Sequence, residues 1–305
     1  MPARTLPSIF NSLLNCCFFI FFICHSAFAD TPRVLASIKP LHSLVSNITD
    51  GISTPGLLMS QEQSAHHFQL RPSQKRQLNQ ADVFFYSNDN IESFVPALKN
   101  TRDKLRFIQL SDSPDIKMLP ARSTDKHSHA GNSIDGHAWL SINNAILFSR
   151  YAADTLSKLD PRNAAHYQSN LSALLIKLET LGKANAGLLS DLKNKPFLMY
   201  HDAYQYFEIE NGLNQSHFVT SSPEHTPGIK RVKELRALIR IENIQCIFYE
   251  PPNIPPLLKT LAEGMPLKFA PLDPAGSQIP AGKQHYFKLM QQTALTLHNC
   301  LSLEK

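Results

Sequence analysis

DPRNAAHYQSNLSALLIKLETLGKANAGLLSDLKNKP, residues 160–196, is the stretch whose reading decides the fold. Asp160 is a helix-capping residue type, and Pro161 suits the first helical position. Tyr167, Leu171, Leu174, Leu175, Leu178 and Leu181 then recur three and four residues apart, the spacing of one helix face. The pattern weakens through Leu188 and Leu192, and Pro196 ends it. Unbroken, such a helix runs about 50 Å. Gly182 and Gly187 weaken its second half, where a kink or frayed end is expected. No other helical pattern in the chain is as long, so this one reads as a spacer between two bodies.

On either side of it, short apolar runs alternate with longer amphipathic stretches. Runs 34–38, 56–59, 83–87 and 106–110 precede the helix; runs 197–200, 217–220, 246–250 and 267–271 follow it. Continuous apolar strands separated by helices indicate parallel sheets covered on both faces. The expected fold class is therefore α/β: two four-stranded parallel lobes, 30–158 and 196–305, joined by a long rigid helix over 159–195. Such a linker predicts limited domain motion. Residues 114–136 are polar, rich in Ser and Asp, and read as a mobile loop. Within it His127 and His129 fit either weak metal capture or an ordinary solvated loop.

Residues 1–29 read as a cleaved secretory signal: Arg4 near the start, an apolar run from Leu13 to Ile23, then Ala27-Phe28-Ala29. At about eleven residues the run is shorter than the ~20 a membrane span needs. A retained anchor is the alternative, and Asn15 before Cys16 and Cys17 argues against lipidation there. Removing this segment takes Cys16, Cys17 and Cys24 with it and leaves Cys246 and Cys300. In an exported chain two cysteines are most simply a disulfide, with two buried thiols as the alternative. A bridge would pin the last helix to the sheet by closing a loop of about 55 residues, worth about 4 kcal/mol.

The formal charge of the whole chain is +5, with Lys and Arg scattered through helical segments and no basic stripe interleaved with aromatics. That excludes a nucleic-acid partner. A mature chain of about 275 residues is long enough for two lobes, and outside the signal no stretch is long enough to cross a membrane.

The chemistry concentrates in His66, His137, His201 and Asp273, spaced about seventy residues apart. Each reads as lying beyond a strand, so each would come from a different strand–helix unit. Imidazole and carboxylate coordinate divalent metals, and strand ends are where α/β folds gather ligand-binding groups. Singly, each histidine fits a hydrogen-bonded strand-end residue; jointly, they point to a metal site assembled by the whole fold. His67 neighbours His66 but should face away from it. Arg71 and Ser73 read as structural, at a helix starting near Pro72. Trp139 and Leu140 should bury and aim His137 inward.

SAHHFQLRPS (64–73), DGHAWLS (135–141), YHDAYQYFE (200–208), SSPEHTP (221–227), FYEPPN (248–253) and LDPAG (272–276), in this order and spacing, resemble the cluster A-I metal-binding receptors of ABC-type zinc and manganese importers. The resemblance covers essentially the whole mature chain and is strongest to the zinc-specific periplasmic members. It implies two lobes joined by one long helix, a metal in the cleft between them, and a bridge between Cys246 and Cys300. It implies ligands at His66, His137 and His201, with Asp273 or a water as the fourth. Manganese-type relatives carry glutamate at the third position; His201 favours tetrahedral Zn²⁺. Glu250 is expected to hydrogen-bond a ligand histidine or the backbone, Glu224 to cap a helix, and His217 and His225 to lie outside the ligand set. The chain departs from the family at Ala65, His67 and Ser141-Ile142, and in a shortened histidine loop.

The function implied is a periplasmic receptor, a monomer, that captures Zn²⁺ and delivers it to an ABC permease. A zinc hydrolase is the competing class, because three imidazoles and a water are also a catalytic arrangement. No HExxH helix is present, and Glu250 is the only candidate base. An adhesin or metal buffer on the same fold is a third reading.

Overall fold

The apolar runs form strands in a computed structural model that describes residues 31–59, 68–102, 104–122, 134–221 and 227–302. The signal segment, His66, His67, His127, His129, Glu224 and His225 lie outside the described residues. The first half gives β1 (Val34–Ala36), α1 (Lys39–Ile48), β2 (Gly56–Leu57), α2 (Pro72–Gln80), β3 (Val83–Tyr86), α3 (Val95–Lys99) and β4 (Arg106–Gln109). Proline opens α1, α2 and α3, where its missing N–H costs nothing. At α2 the Arg71 N–H also donates to Gln74 Oε1 at 2.9 Å, closing the first turn. The strands form one parallel sheet in the order β2-β1-β3-β4, with Leu35 opposite Gly56 on one side and Phe84 on the other.

Next come α4 (Ile142–Leu159), capped by Ser141 Oγ accepting from the Asn144 N–H, and α5 (Ala164–Leu188). The long helix is 25 residues, about 38 Å, shorter than its sequence pattern predicts. It passes through both glycines, but its two ends wind into 3₁₀ turns, Pro161–Asn163 and Ser190–Leu192. Asp160 explains the first. Its side chain does not cap; Oδ2 instead accepts from Asn163 Nδ2 at 2.7 Å and the Tyr167 hydroxyl at 3.2 Å. Tyr167, Leu171, Leu174 and Leu178 form the buried face of α5.

The second half repeats the plan with β5 (Leu198–His201), α6 (Gln205–Glu210), β6 (His217–Thr220), α7 (Ile229–Ile241), β7 (Cys246–Tyr249), α8 (Pro256–Ala262), β8 (Lys268–Pro271) and α9 (His285–Leu301). Its parallel sheet has the order β6-β5-β7-β8, the same wiring as the first. Alternate residues feed opposite faces: Leu198 and Ile247 join a small cluster with Leu235, Ile239, Leu258 and Leu261, while Met199 and Phe248 join the large core. Both sheets thus bury both faces, as their unbroken apolar runs require.

The last helix crosses back. α9 packs on α1 and α5, and Cys300 near its end is bonded to Cys246 at the start of β7, with a Cα–Cα distance of 6.1 Å. Ser43 Oγ donates to the Lys283 carbonyl at 2.9 Å, and Tyr286 N–H donates to Ser43 Oγ at 3.1 Å. Among the described residues no helix is long and apolar enough to cross a membrane.

Candidate metal centre

Identical wiring gives each sheet one point where successive connections leave in opposite directions. That point lies between β1 and β3 in the first sheet and between β5 and β7 in the second, at the carboxyl ends of the strands. His201 is the last residue of β5, and Glu250 directly follows β7, so the two meet there. His201 Nδ1 lies 2.6 Å from Glu250 Oε1, and His201 is only 3% exposed. The hydrogen bond expected of Glu250 is thus made to His201.

His137 is placed differently from the expectation. It follows no strand; it lies between Ile134, which forms an isolated bridge with Pro120, and the 3₁₀ turn Ala138–Leu140. Its position is set by neighbours. The His137 N–H donates to Asp135 Oδ1 at 3.0 Å, and its ring Nδ1 lies 2.8 Å from the same oxygen. Trp139 and Leu140 are buried as expected, and Trp139 Nε1 donates to the Pro274 carbonyl at 2.8 Å. Tyr286 Oη donates to the Trp139 carbonyl at 2.8 Å, holding the same turn from α9.

The two imidazoles come together from opposite halves of the chain, with ring centroids 5.0 Å apart and planes at 75°. In a neutral ring, an Nδ1–H directed at a carboxylate places the lone pair on Nε2 and raises its basicity, the arrangement that metal-ligating histidines use. The cavity beside His201, lined also by Tyr204, Glu250 and Leu272, is about 10 Å³. That suits a water or an ion and is far below the size of an organic-ligand pocket.

Asp273 sits two residues beyond β8 and has another occupation. Its Oδ1 accepts from the N–H groups of Ala275 and Gly276, both at 2.9 Å, and its Oδ2 accepts from the Ser277 N–H at 2.5 Å. Gly276, at φ 62, lets this turn close. The first half of the chain holds the turn too, through Trp139 on Pro274 and through Lys39 Nζ donating to the Ser277 carbonyl. The structure therefore brings His137 and His201 together. Among the described residues no group of three His, Cys, Asp or Glu is set to hold one ion.

Sequence reasoning missed two elements of the site. Asp135 is one, although the Asp-x-His spacing of 135–137 hints at its role. The other is Arg122, at the edge of the polar stretch. Its Nε donates to Asp202 Oδ1 and Oδ2 at 2.9 and 3.1 Å, and Nη1 donates to Glu208 Oε2 at 2.9 Å. Asp202 directly follows His201. Burial pushes both the Asp202 and Glu208 carboxyls up, and the Arg122 guanidinium opposes it. The Leu119 N–H donates to Tyr206 Oη at 2.9 Å, and that hydroxyl donates to the Asp135 carbonyl at 2.8 Å. Residues 119–122 and 135 are thus fastened to α6, the helix that follows His201 in the chain.

Known proteins share this plan. A family described as zinc-uptake complex component A, periplasmic (ZnuA), matches residues 34–300. The high-affinity zinc uptake system protein ZnuA of Brucella suis is 30% identical over 96% of this chain and 98% of its own length. Zinc(II)-bound AdcA from Streptococcus pneumoniae superposes with a TM-score of 0.74 at 25% identity, over 90% of this chain and 58% of AdcA. A crystal structure of ZnuA gives a TM-score of 0.76 at 20% identity, over 89% of this chain and 99% of that one.

Proposed function

The chain belongs to the periplasmic zinc-uptake component A family, and on that premise we propose that it is the high-affinity receptor that captures Zn²⁺ for an ABC-type importer. Receptors of this family are not enzymes. His66, His137 and His201 take the cargo ion, and Asp273 or a water completes a four-coordinate shell. Three neutral imidazoles with one oxygen suit tetrahedral Zn²⁺ better than octahedral Mn²⁺. The observation that carries this reading is the pair His137–His201: two buried rings from opposite halves, 5.0 Å apart, each with Nδ1 on a carboxylate. A closed shell suits carriage, because catalysis needs an open position for substrate. Residues 1–29 are the export signal, the mature chain acts as a monomer in the periplasm, and its partner is the importer's permease, which would strain the site to release the ion.

Calorimetric titration of the metal-stripped mature chain with Zn²⁺ and Mn²⁺ tests the reading. One tight zinc site, lost in His137→Ala and in His201→Ala, is expected. Equal or tighter Mn²⁺ binding would refute the zinc assignment, and zinc binding indifferent to both substitutions would refute the site.

A further inference from the structure

The point between β1 and β3 in the first sheet is also filled, by a carboxylate that the zinc site does not use directly. Glu92 is fully buried, and its three partners are all uncharged donors. Oε1 accepts from Ser37 Oγ at 2.6 Å and from the Ser87 N–H at 3.0 Å; Oε2 accepts from the Asn88 N–H at 3.1 Å. Ser37 directly follows β1 and Ser87 directly follows β3, so Glu92 ties the two strand ends together. No ion pair reaches it among the described residues, and burial pushes its carboxyl up to about 7. A buried carboxylate with only uncharged partners among the described residues is costly, so its geometry should serve something.

That geometry leads to His137. Asn88, whose N–H Glu92 holds, donates through Nδ2 to the Gly136 carbonyl at 2.7 Å, and Ser87 Oγ donates to the same carbonyl at 3.1 Å. The Asn88 amide cannot turn over, because its Oδ1 accepts from the N–H groups of Asn90 and Ile91 at 3.0 and 3.1 Å. Gly136 is pressed against this turn: a Cβ there would run into Ile91 Cγ1 and lie 2.8 Å from Asn88 Oδ1. The next residue is His137.

We infer that Glu92 is a positioning residue for zinc capture, acting through the Ser87–Asn88 turn on the Gly136 carbonyl and so on the His137 ring. The inference rests on the reading of His137 as a ligand. Each sheet then contributes one carboxylate from its own switch point. Glu250 touches His201 directly; Glu92 reaches His137 through two links.

Glu92→Gln keeps size and one acceptor but sets an NH₂ against the Asn88 N–H. Asn88→Ala removes the amide on Gly136, together with the Oδ1 acceptor of the Asn90 and Ile91 N–H groups, while leaving Glu92 in place, and serves if Glu92→Gln does not fold. Zinc titration of the full mature chain is expected to show affinity weakened about ten-fold or more in either variant, the effect typical of lost outer support. In the zinc-loaded protein the ring-nitrogen resonances of His137 should shift while those of His201 stay in place. Affinities within two-fold of the parent in both variants, with His137→Ala losing zinc, overturn the positioning role and leave the site intact. Equal shifts at both rings also overturn it, since general loosening would then be the cause. Zinc binding retained by His137→Ala would instead overturn the reading on which the inference rests.

Discussion

Removing the Cys246–Cys300 bridge should cost stability and spare zinc binding. The bridge closes a loop of 54 residues, so its loss frees chain entropy in the unfolded state worth about 4 kcal/mol at 25 °C. The suitable variant is Cys246→Ala/Cys300→Ala, because Cys246 is fully buried and a serine would strand a hydroxyl in the core. In urea, with a slope of about 3 kcal/mol per M, the midpoint should fall by about 1.3 M. The slope itself should rise, since an uncrosslinked chain exposes more surface on unfolding. Cys246 and Glu250 lie at opposite ends of β7, about 13 Å apart along the strand. Calorimetric zinc affinity of the folded variant should therefore stay within about two-fold of the parent, well short of the ten-fold losses that broken ligand support causes. A midpoint shift under about 0.3 M would refute the entropic argument. A large loss of affinity in a fully folded variant would refute the separation of staple from site.

Glu250→Gln leaves His201 Nδ1 facing an amide in place of a carboxylate and should weaken zinc binding about 10- to 100-fold by calorimetry, with the fold retained. Arg122→Met strands the buried Asp202 and Glu208 carboxylates and should cost about 3–5 kcal/mol in urea unfolding; a loss under about 1 kcal/mol would show that the cluster is not coupled. Glu92 gives a pH signature. Its folded value of about 7 lies above the 4.5 of the ordinary group, so the folded state holds a proton that the unfolded chain has released between those values. The resulting stability is full below about pH 4.5 and lost as pH rises through about 7, an effect of about 3 kcal/mol. Subtracting the Glu92→Gln curve from the parent's isolates it, because His42 and His285, whose values burial lowers, titrate alike in both. A flat difference curve would contradict the assignment.

The sheets were legible because their central strands are unbroken apolar runs such as VFFY and CIFY, buried along nearly their whole length. Strand order was not, since parallel pairing leaves no mark on periodicity. The long helix was legible through its leucines, but its ends were not: Asp160, a capping residue by type, spends its carboxylate on Asn163 and Tyr167. His201 and Glu250 could be anticipated at strand ends. His137 could be singled out, but its setting was misjudged, because Gly136 and Asp135 place it through contacts with residues nearly fifty positions earlier and with Tyr206. Arg122 looked like part of a solvated stretch and proves to be an ion-pair partner 80 residues from Asp202. Pairings of that kind depend on the finished packing, and no local pattern encodes them.

The return of α9 to α1 has a consequence for the order of events during biogenesis. Tyr286 and Ser43 are bonded across 243 residues, and the turn holding Asp273 is tied to Lys39 across 238. The first sheet therefore cannot complete its cover until nearly the last helix has emerged. A chain threaded from its amino end through a narrow channel stays open for as long as its tail is held back, because long-range closure must await the final segment. The contact that completes the molecule thus also delays its closure.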